Sequence, residues 1–189
     1  MTSFSINEVV KMKQRIHVFG PSGSGTTTIS KLLCERLGYT HFDSDSYFWL
    51  PTEDPFTVKR PREACLNLMK NDLSTTEPWV LSGSVTGWGE ELTPFFDLVI
   101  FVYVRAELRL ERLRKREYER YGDDILSGGD RYEASQAFLE WASSYEAGTM
   151  TGRSLIQHEK WLEGLNCSIL RIENDLLDVS VDTILAAIE

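Results

Sequence analysis

The stretch "RIHVFGPSGSGTTTISKLLCERLG", residues 15–38, constrains the fold more than any other part of the chain. A short apolar run, "RIHVF", ends in glycine. A helical pattern follows, with Ile29, Leu32, Leu33 and Leu37 on helical spacing. Between the two, Gly20, Gly23 and Gly25 keep the register of a loop whose usual form is Gly, four residues, Gly, Lys, then Ser or Thr. Glycines there let backbone N–H groups turn inward together, and the helix start adds its unpaired N–H groups and positive dipole end. Such a nest holds a polyphosphate. Thr27 takes the Ser/Thr position, whose hydroxyl ligates Mg2+ in loops of this kind. The lysine position is Thr26. The expected cradle is Gly20, Pro21, Ser22, Gly23, Ser24, Gly25, Thr26, Thr27 and Thr28, one positive charge short. The competing reading is a tight strand-to-helix turn with no ligand.

Apolar runs at 39–43, 78–83, 97–104 and 167–172 read as further strands, with helical patterns at 61–73, 106–120, 131–147, 153–164 and 179–188 between them. Nearly continuous runs such as "PWVLSG" and "DLVIFVYV" suit strands covered on both faces. The alternation predicts an α/β fold, a three-layer, doubly wound parallel sheet of five strands. At 189 residues the chain reads as one domain, 1–189, with a polar, glycine-containing insertion at about 117–152 as a helical lid. Residues 1–14 read as a short helix or an arm. A net charge of −9 argues against a general nucleic-acid partner, so a bound anion must be held locally. Cys34, Cys65 and Cys167 form neither a disulfide framework nor a metal pattern. With no signal-like run and no apolar stretch of membrane-spanning length, the expectation is a cytoplasmic protein without a membrane partner, monomer or homodimer.

The helix "RAELRLERLRKREYER" carries Arg105, Arg109, Arg112, Arg116 and Arg120 at spacings of 4, 3, 4 and 4, a stripe on one face. Like charges so placed repel, which suggests an anion as partner; the alternative is a solvated face or acids elsewhere. Arg112 and Arg116 are the leading candidates, with Arg131 in the lid as a third and Arg153 beyond it as a further one. Asp43 and Asp45, in "HFDSDSYFW", are two apart, so in extended chain they point the same way at the carboxyl end of the second strand. One carboxylate suits Mg2+ and the other an acceptor hydroxyl; turn or N-cap chemistry is the alternative. On the acceptor side stand Arg60, and the loop "LSGSVTGWGEE" with Gly83 and Trp88, read as pliable or as a plain turn. Phe138, Trp141, Ala142 and Tyr145 form a stripe that reads as core before ligand platform, and His41 and His158 as structural or exposed.

"GPSGSGTTT" after the first strand, "DSD" after the second and the Arg-rich helix leading into a lid together resemble P-loop small-molecule kinases of the nucleoside-monophosphate and shikimate kinase type. The Gly-Thr-Thr-Thr loop is similar to that of some archaeal-type cytidylate kinases, and the wider pattern resembles bacterial adenylate-kinase-like proteins. The resemblance implies sheet order 2-3-1-4-5, Mg-ATP as phosphoryl donor, a small-molecule acceptor and a closing lid. The third strand ends "WVLSGS", without the Asp that many P-loop proteins carry there, so Asp43 takes the metal role with Thr27. Under the first reading the protein is an ATP-dependent phosphotransferase for a nucleotide or small hydroxylated metabolite, with Asp43, Asp45, Arg112, Arg116 and Arg131 at the chemistry. The second is a nucleotide-binding regulator with little or no catalysis, which Thr26 favours; a hydrolase without an acceptor is a third.

Overall fold

The computed structural model describes residues 12–188, so most of the segment read as a helix or arm lies outside the described residues. Five strands, β1 (Arg15–Phe19), β2 (Thr40–Asp43), β3 (Trp79–Ser82), β4 (Leu98–Tyr103) and β5 (Ser168–Glu173), form one sheet in the order β2-β3-β1-β4-β5. All neighbours are parallel. The helices are α1 (Thr26–Leu37), α2 (Ser44–Phe48), α3 (Arg62–Thr75), α4 (Ala106–Tyr121), α5 (Tyr132–Ser143), α6 (Leu155–Glu163) and α7 (Leu177–Ile188). Among the described residues no helix is long and apolar enough to cross a membrane.

Strand alternation explains the three layers. Ile16, Val18, Val80, Leu98, Ile100 and Val102 point to one face and pack with Ile29, Leu33, Val181 and Ile184 of α1 and α7. Phe19, Trp79, Leu81, Val99 and Phe101 point to the other and pack with Cys65, Met69, Leu73 and Leu162 of α3 and α6. A sheet buried on both faces needs the continuous apolar runs seen in β3 and β4. His17 joins the second face, stacked at 5.4 Å on Phe19 and 4.7 Å on Phe96, with Nδ1 3.2 Å from the Leu81 carbonyl. Burial holds its pKa down to about 3.

Two elements differ from the sequence expectation. The backbone does not stay extended past Asp43: α2 begins at Ser44, and the Asp43 carboxylate accepts the Asp45 N–H at 3.0 Å as its N-cap. Asp45 therefore lies in a first helical turn and does not share a strand face with Asp43. The helix expected over 131–147 stops at Ser143, because Tyr145 turns inward to His158 and Glu146 to Arg109. The chain between α4 and α6 folds as a 3-10 turn (Gly122–Ile125), α5 and a glycine-containing return.

Candidate functional site

The site lies at the carboxyl ends of the strands, where the order reverses on either side of β1. Its floor is the loop from Gly20 to Gly25. A side-chain carbon at Gly20 would collide with the Val102 carbonyl, and one at Gly23 would come within 2.8 Å of the Arg109 carbonyl. Gly23 and Gly25 also have φ of +84° and +88°, which a side chain disfavours. The loop closes with the Ser24 N–H on the Pro21 carbonyl at 3.1 Å. Gly25 caps α1 without a side-chain hydrogen bond, so the first N–H groups of α1 stay open to an anion.

Two buried or partly buried side chains hold this loop from outside. Asn174, just past β5, donates Nδ2–H to the Ser24 carbonyl at 2.8 Å. Arg109, fully buried, donates to the Ser22 carbonyl at 3.2 Å and grips Glu146 with both carboxylate oxygens at 2.7 and 2.8 Å. The expected arginine stripe is thereby divided. Arg109, Leu113 and Glu117, four apart, are the buried face of α4, and Arg109 is part of the frame. Arg105 pairs with Asp175 at 3.2 Å, and Arg112 donates to the Asn174 carbonyl at 3.0 Å, at the nucleotide-loop end. Arg120 lies over the Phe56 ring at 4.9 Å. Arg116 remains open to solvent, with its guanidinium over Phe138 at 5.9 Å.

Thr27 and Asp43 meet: Thr27 Oγ1 donates to Asp43 Oδ2 at 3.2 Å. A hydroxyl and a carboxylate at the mouth of a phosphate nest are the hard oxygen donors that Mg2+ takes, so the residues present fit the metal and nucleotide that the loop implies. Gly83, φ +88°, lets the end of β3 press against Ser44 beside this pair; a side chain there would strike the Ser44 hydroxyl. The following loop is closed by internal hydrogen bonds. Gly87 N–H donates to Glu90 Oε1 at 2.6 Å, Gly89 N–H to the Val85 carbonyl at 2.8 Å, and Trp88 Nε1–H to the Ser84 carbonyl at 3.1 Å. Trp88 packs against Phe48 at 5.3 Å, while Arg60 donates Nε–H to the Tyr47 carbonyl at 2.8 Å.

Asp45 is reached by solvent, yet protein surrounds it on several sides. That desolvation, then the neighbouring Asp43 charge, raises its pKa, against the pull of Arg153 and Arg116. Desolvation also lowers Arg116, aided by Arg120, and lowers Arg153 against the support of Asp45. Arg131 bonds to Asp54, in the excursion at 49–60 after α2, and lies 4.2 Å over the Tyr121 ring. The Phe138–Tyr145 stripe is split too: Ala142 and Tyr145 are core, whereas Phe138 and Trp141 are half-buried beneath Arg116 and Arg153. His158 is structural, between Tyr145 Oη at 2.8 Å and Ser84 Oγ at 3.3 Å. Asn174 carried no motif; its place at the carboxyl end of a strand was the available signal.

A five-stranded parallel sheet in this order, with a glycine loop between β1 and α1, is the fold of P-loop small-molecule kinases. The AAA_18 family, described as AAA domain, matches residues 16–137, and the chain belongs to it. It is 48% identical over 164 residues to the uncharacterized protein YqaC of Bacillus subtilis (strain 168), covering 87% of this chain and 90% of that one. It is 24% identical over 146 residues to a cytidylate kinase of Caldicellulosiruptor bescii, covering 77% of this chain and 58% of that one. Shikimate kinase from Acinetobacter baumannii, solved with shikimate, superposes with a TM-score of 0.54 at 21% identity over 93% of this chain and 92% of its own.

Proposed function

We propose that the chain is an ATP-dependent phosphotransferase acting on a nucleotide or a small hydroxylated metabolite. The observation that carries this reading is the Thr27–Asp43 hydrogen bond at the mouth of the glycine nest, with Asp45 in the next helical turn. Residues 20–28 bind the triphosphate, and Thr27 with Asp43 holds Mg2+. Mg2+ held by Thr27 and Asp43 would offset the negative charge of the phosphates. Asp45 orients the acceptor hydroxyl and takes its proton, a role its raised pKa favours. The acceptor oxygen bonds to the γ-phosphorus, the bond to the β–γ bridging oxygen breaks, and ADP leaves. Arg116 faces the charge that develops. Arg112 serves the nucleotide end through Asn174, and Arg131 holds the lid, at about 117–152, to the acceptor side. Arg60, Gly83 and Trp88 shape the acceptor wall. Acidic composition and the kinase fold support a cytoplasmic protein, monomer or homodimer, without a nucleic-acid partner.

The test is ADP formation from Mg-ATP against a panel of nucleoside monophosphates and hydroxylated metabolites, beside calorimetry of nucleotide binding. ATP that binds while every acceptor leaves ADP release at background defeats the kinase reading. Thr26 specifically favours the alternative, a nucleotide-binding regulator. Restoring the lysine separates them: Thr26→Lys changes turnover in an enzyme whose other parts are present, and leaves a regulator at background.

A further inference from the structure

With Thr26 at the lysine position, residues 20–28 carry no charged side chain. The pull of this loop on an anion therefore depends on where its main-chain N–H groups point. The N–H groups of Gly23 and Gly25 have no hydrogen-bond partner among the described residues. Each belongs to a peptide unit whose carbonyl is held from outside the loop. The Ser22 carbonyl, in the Ser22–Gly23 unit, accepts from Arg109 Nη1 at 3.2 Å. The Ser24 carbonyl, in the Ser24–Gly25 unit, accepts from Asn174 Nδ2 at 2.8 Å. Both units are trans. In a planar trans peptide the C=O and N–H point in opposite directions. A donor that fixes the carbonyl on the outer side thus turns the N–H toward the side the loop encloses.

The two donors are themselves fixed. Arg109 is fully buried, and its guanidinium makes five hydrogen bonds: one each to the Val104, Ser22 and Ala142 carbonyls and two to Glu146. That uses every N–H the group has. Glu146 offsets its charge, so what Arg109 gives the loop is orientation. Asn174 is buried, donates its main-chain N–H to the Tyr103 carbonyl at 2.8 Å and accepts at its own carbonyl from Arg112 at 3.0 Å. Turned the other way, its side-chain amide would set Oδ1 against the Ser24 carbonyl oxygen, two acceptors face to face. The contacts are close. A side-chain carbon at Gly23 would lie 2.8 Å from the Arg109 carbonyl, and one at Gly25 would lie 2.8 Å from Asn174 Nδ2. Each glycine is backed by the residue that holds its peptide unit.

We infer that Arg109 and Asn174 are positioning residues that aim the Gly23 and Gly25 N–H groups, one each, at the bound phosphates. The inference rests on the reading that the glycine loop takes a polyphosphate. The test uses the whole isotope-labelled chain and inorganic tripolyphosphate, which offers phosphates without base or sugar. In the unsubstituted protein this ligand should move the amide-proton resonances of both Gly23 and Gly25 downfield. Asn174→Ala should abolish the Gly25 shift and keep that of Gly23. Arg109→Lys, which keeps a charge beside Glu146 but loses the planar fork, should do the reverse. By calorimetry each variant should bind tripolyphosphate about ten- to a hundredfold more weakly, the worth of one hydrogen bond to a charged group. A glycine that keeps its shift after its own donor is replaced overturns the inference. So does a variant in which both shifts fall together, since the residue then props the loop as a whole. If Arg109→Lys does not fold, the Asn174→Ala arm decides alone. An unsubstituted protein that responds to tripolyphosphate in neither measurement overturns instead the reading of the loop.

Discussion

At the scale of the residue, Asp45 carries a desolvation cost at the position we propose for the acceptor base. Its raised pKa means that the folded state binds the proton more tightly than the unfolded chain does. Between the ordinary carboxylate value of about 3.9 and the raised folded value, stability therefore falls as pH rises, and above that window the penalty is complete. Asp45→Asn should raise Tm at pH 7 and leave it nearly unchanged at pH 3, while lowering phosphoryl transfer by about a hundredfold or more. Thermal melts at the two pH values and turnover at pH 7 check this; a lower Tm at pH 7 contradicts it. The pair Asp43 and Asp45 was legible in the sequence as acids at a strand end. Their geometry was not, because "DSD" suits an extended strand and a capped helix start equally. The N-cap bond, donated by the Asp45 N–H to the Asp43 carboxylate, decides between the two, and it depends on where β2 stops.

At the scale of the element, α4 shows what periodicity leaves open. Five arginines on helical spacing place a stripe, but the stripe's orientation depends on what the neighbouring elements bring to it. Glu146, beyond α5, reaches Arg109 and draws it fully into the interior, where Tyr145 lies 5.2 Å from its guanidinium. Nothing in the local sequence marks Arg109 apart from Arg112 or Arg116; the distinguishing partner is 37 residues away. Arg109→Ala leaves the Glu146 carboxylate and three backbone carbonyls, of Ser22, Val104 and Ala142, without their donor. Unfolding free energy should fall by about 3 kcal/mol or more, read by urea denaturation. Glu146→Gln, which keeps a hydrogen-bonding side chain, should cost less. Equal small effects from both would remove Arg109 from the frame that holds the glycine loop. The glycine loop itself was readable because its demands are local: left-handed backbone and close approach are properties of three positions.

At the scale of the whole molecule, the second core face contains two neutral imidazoles. Burial, first of all, brings both His17 and His158 down to about 3, and Arg153 adds to the effect at His158. The unfolded chain takes up these protons near the ordinary value of 6.5, and the folded chain does not. Stability is therefore complete above 6.5 and is lost as pH falls toward 3, with a slope near 1.4 kcal/mol per pH unit for each histidine. His17→Phe, which preserves the stack with Phe19 and Phe96, should halve that acid slope in denaturant titrations; an unchanged slope would mean that His17 is not buried neutral. The sheet order was implied by resemblance, and the layers followed from alternation, since each strand's two apolar sets need separate covers.

The excursion at 49–60 touches the far segment through Arg131 on Asp54 and Arg120 on Phe56. Asp54 and Phe56 are exposed, so this crossing is held by charge in water and by little buried surface. Such a bridge weakens as counter-ions crowd it, whereas the apolar layers beneath do not. The excursion at 49–60 and the segment around Arg120 and Arg131 are thus joined by contacts responsive to ionic strength, and a rise in salt loosens the crossing before it troubles the fold.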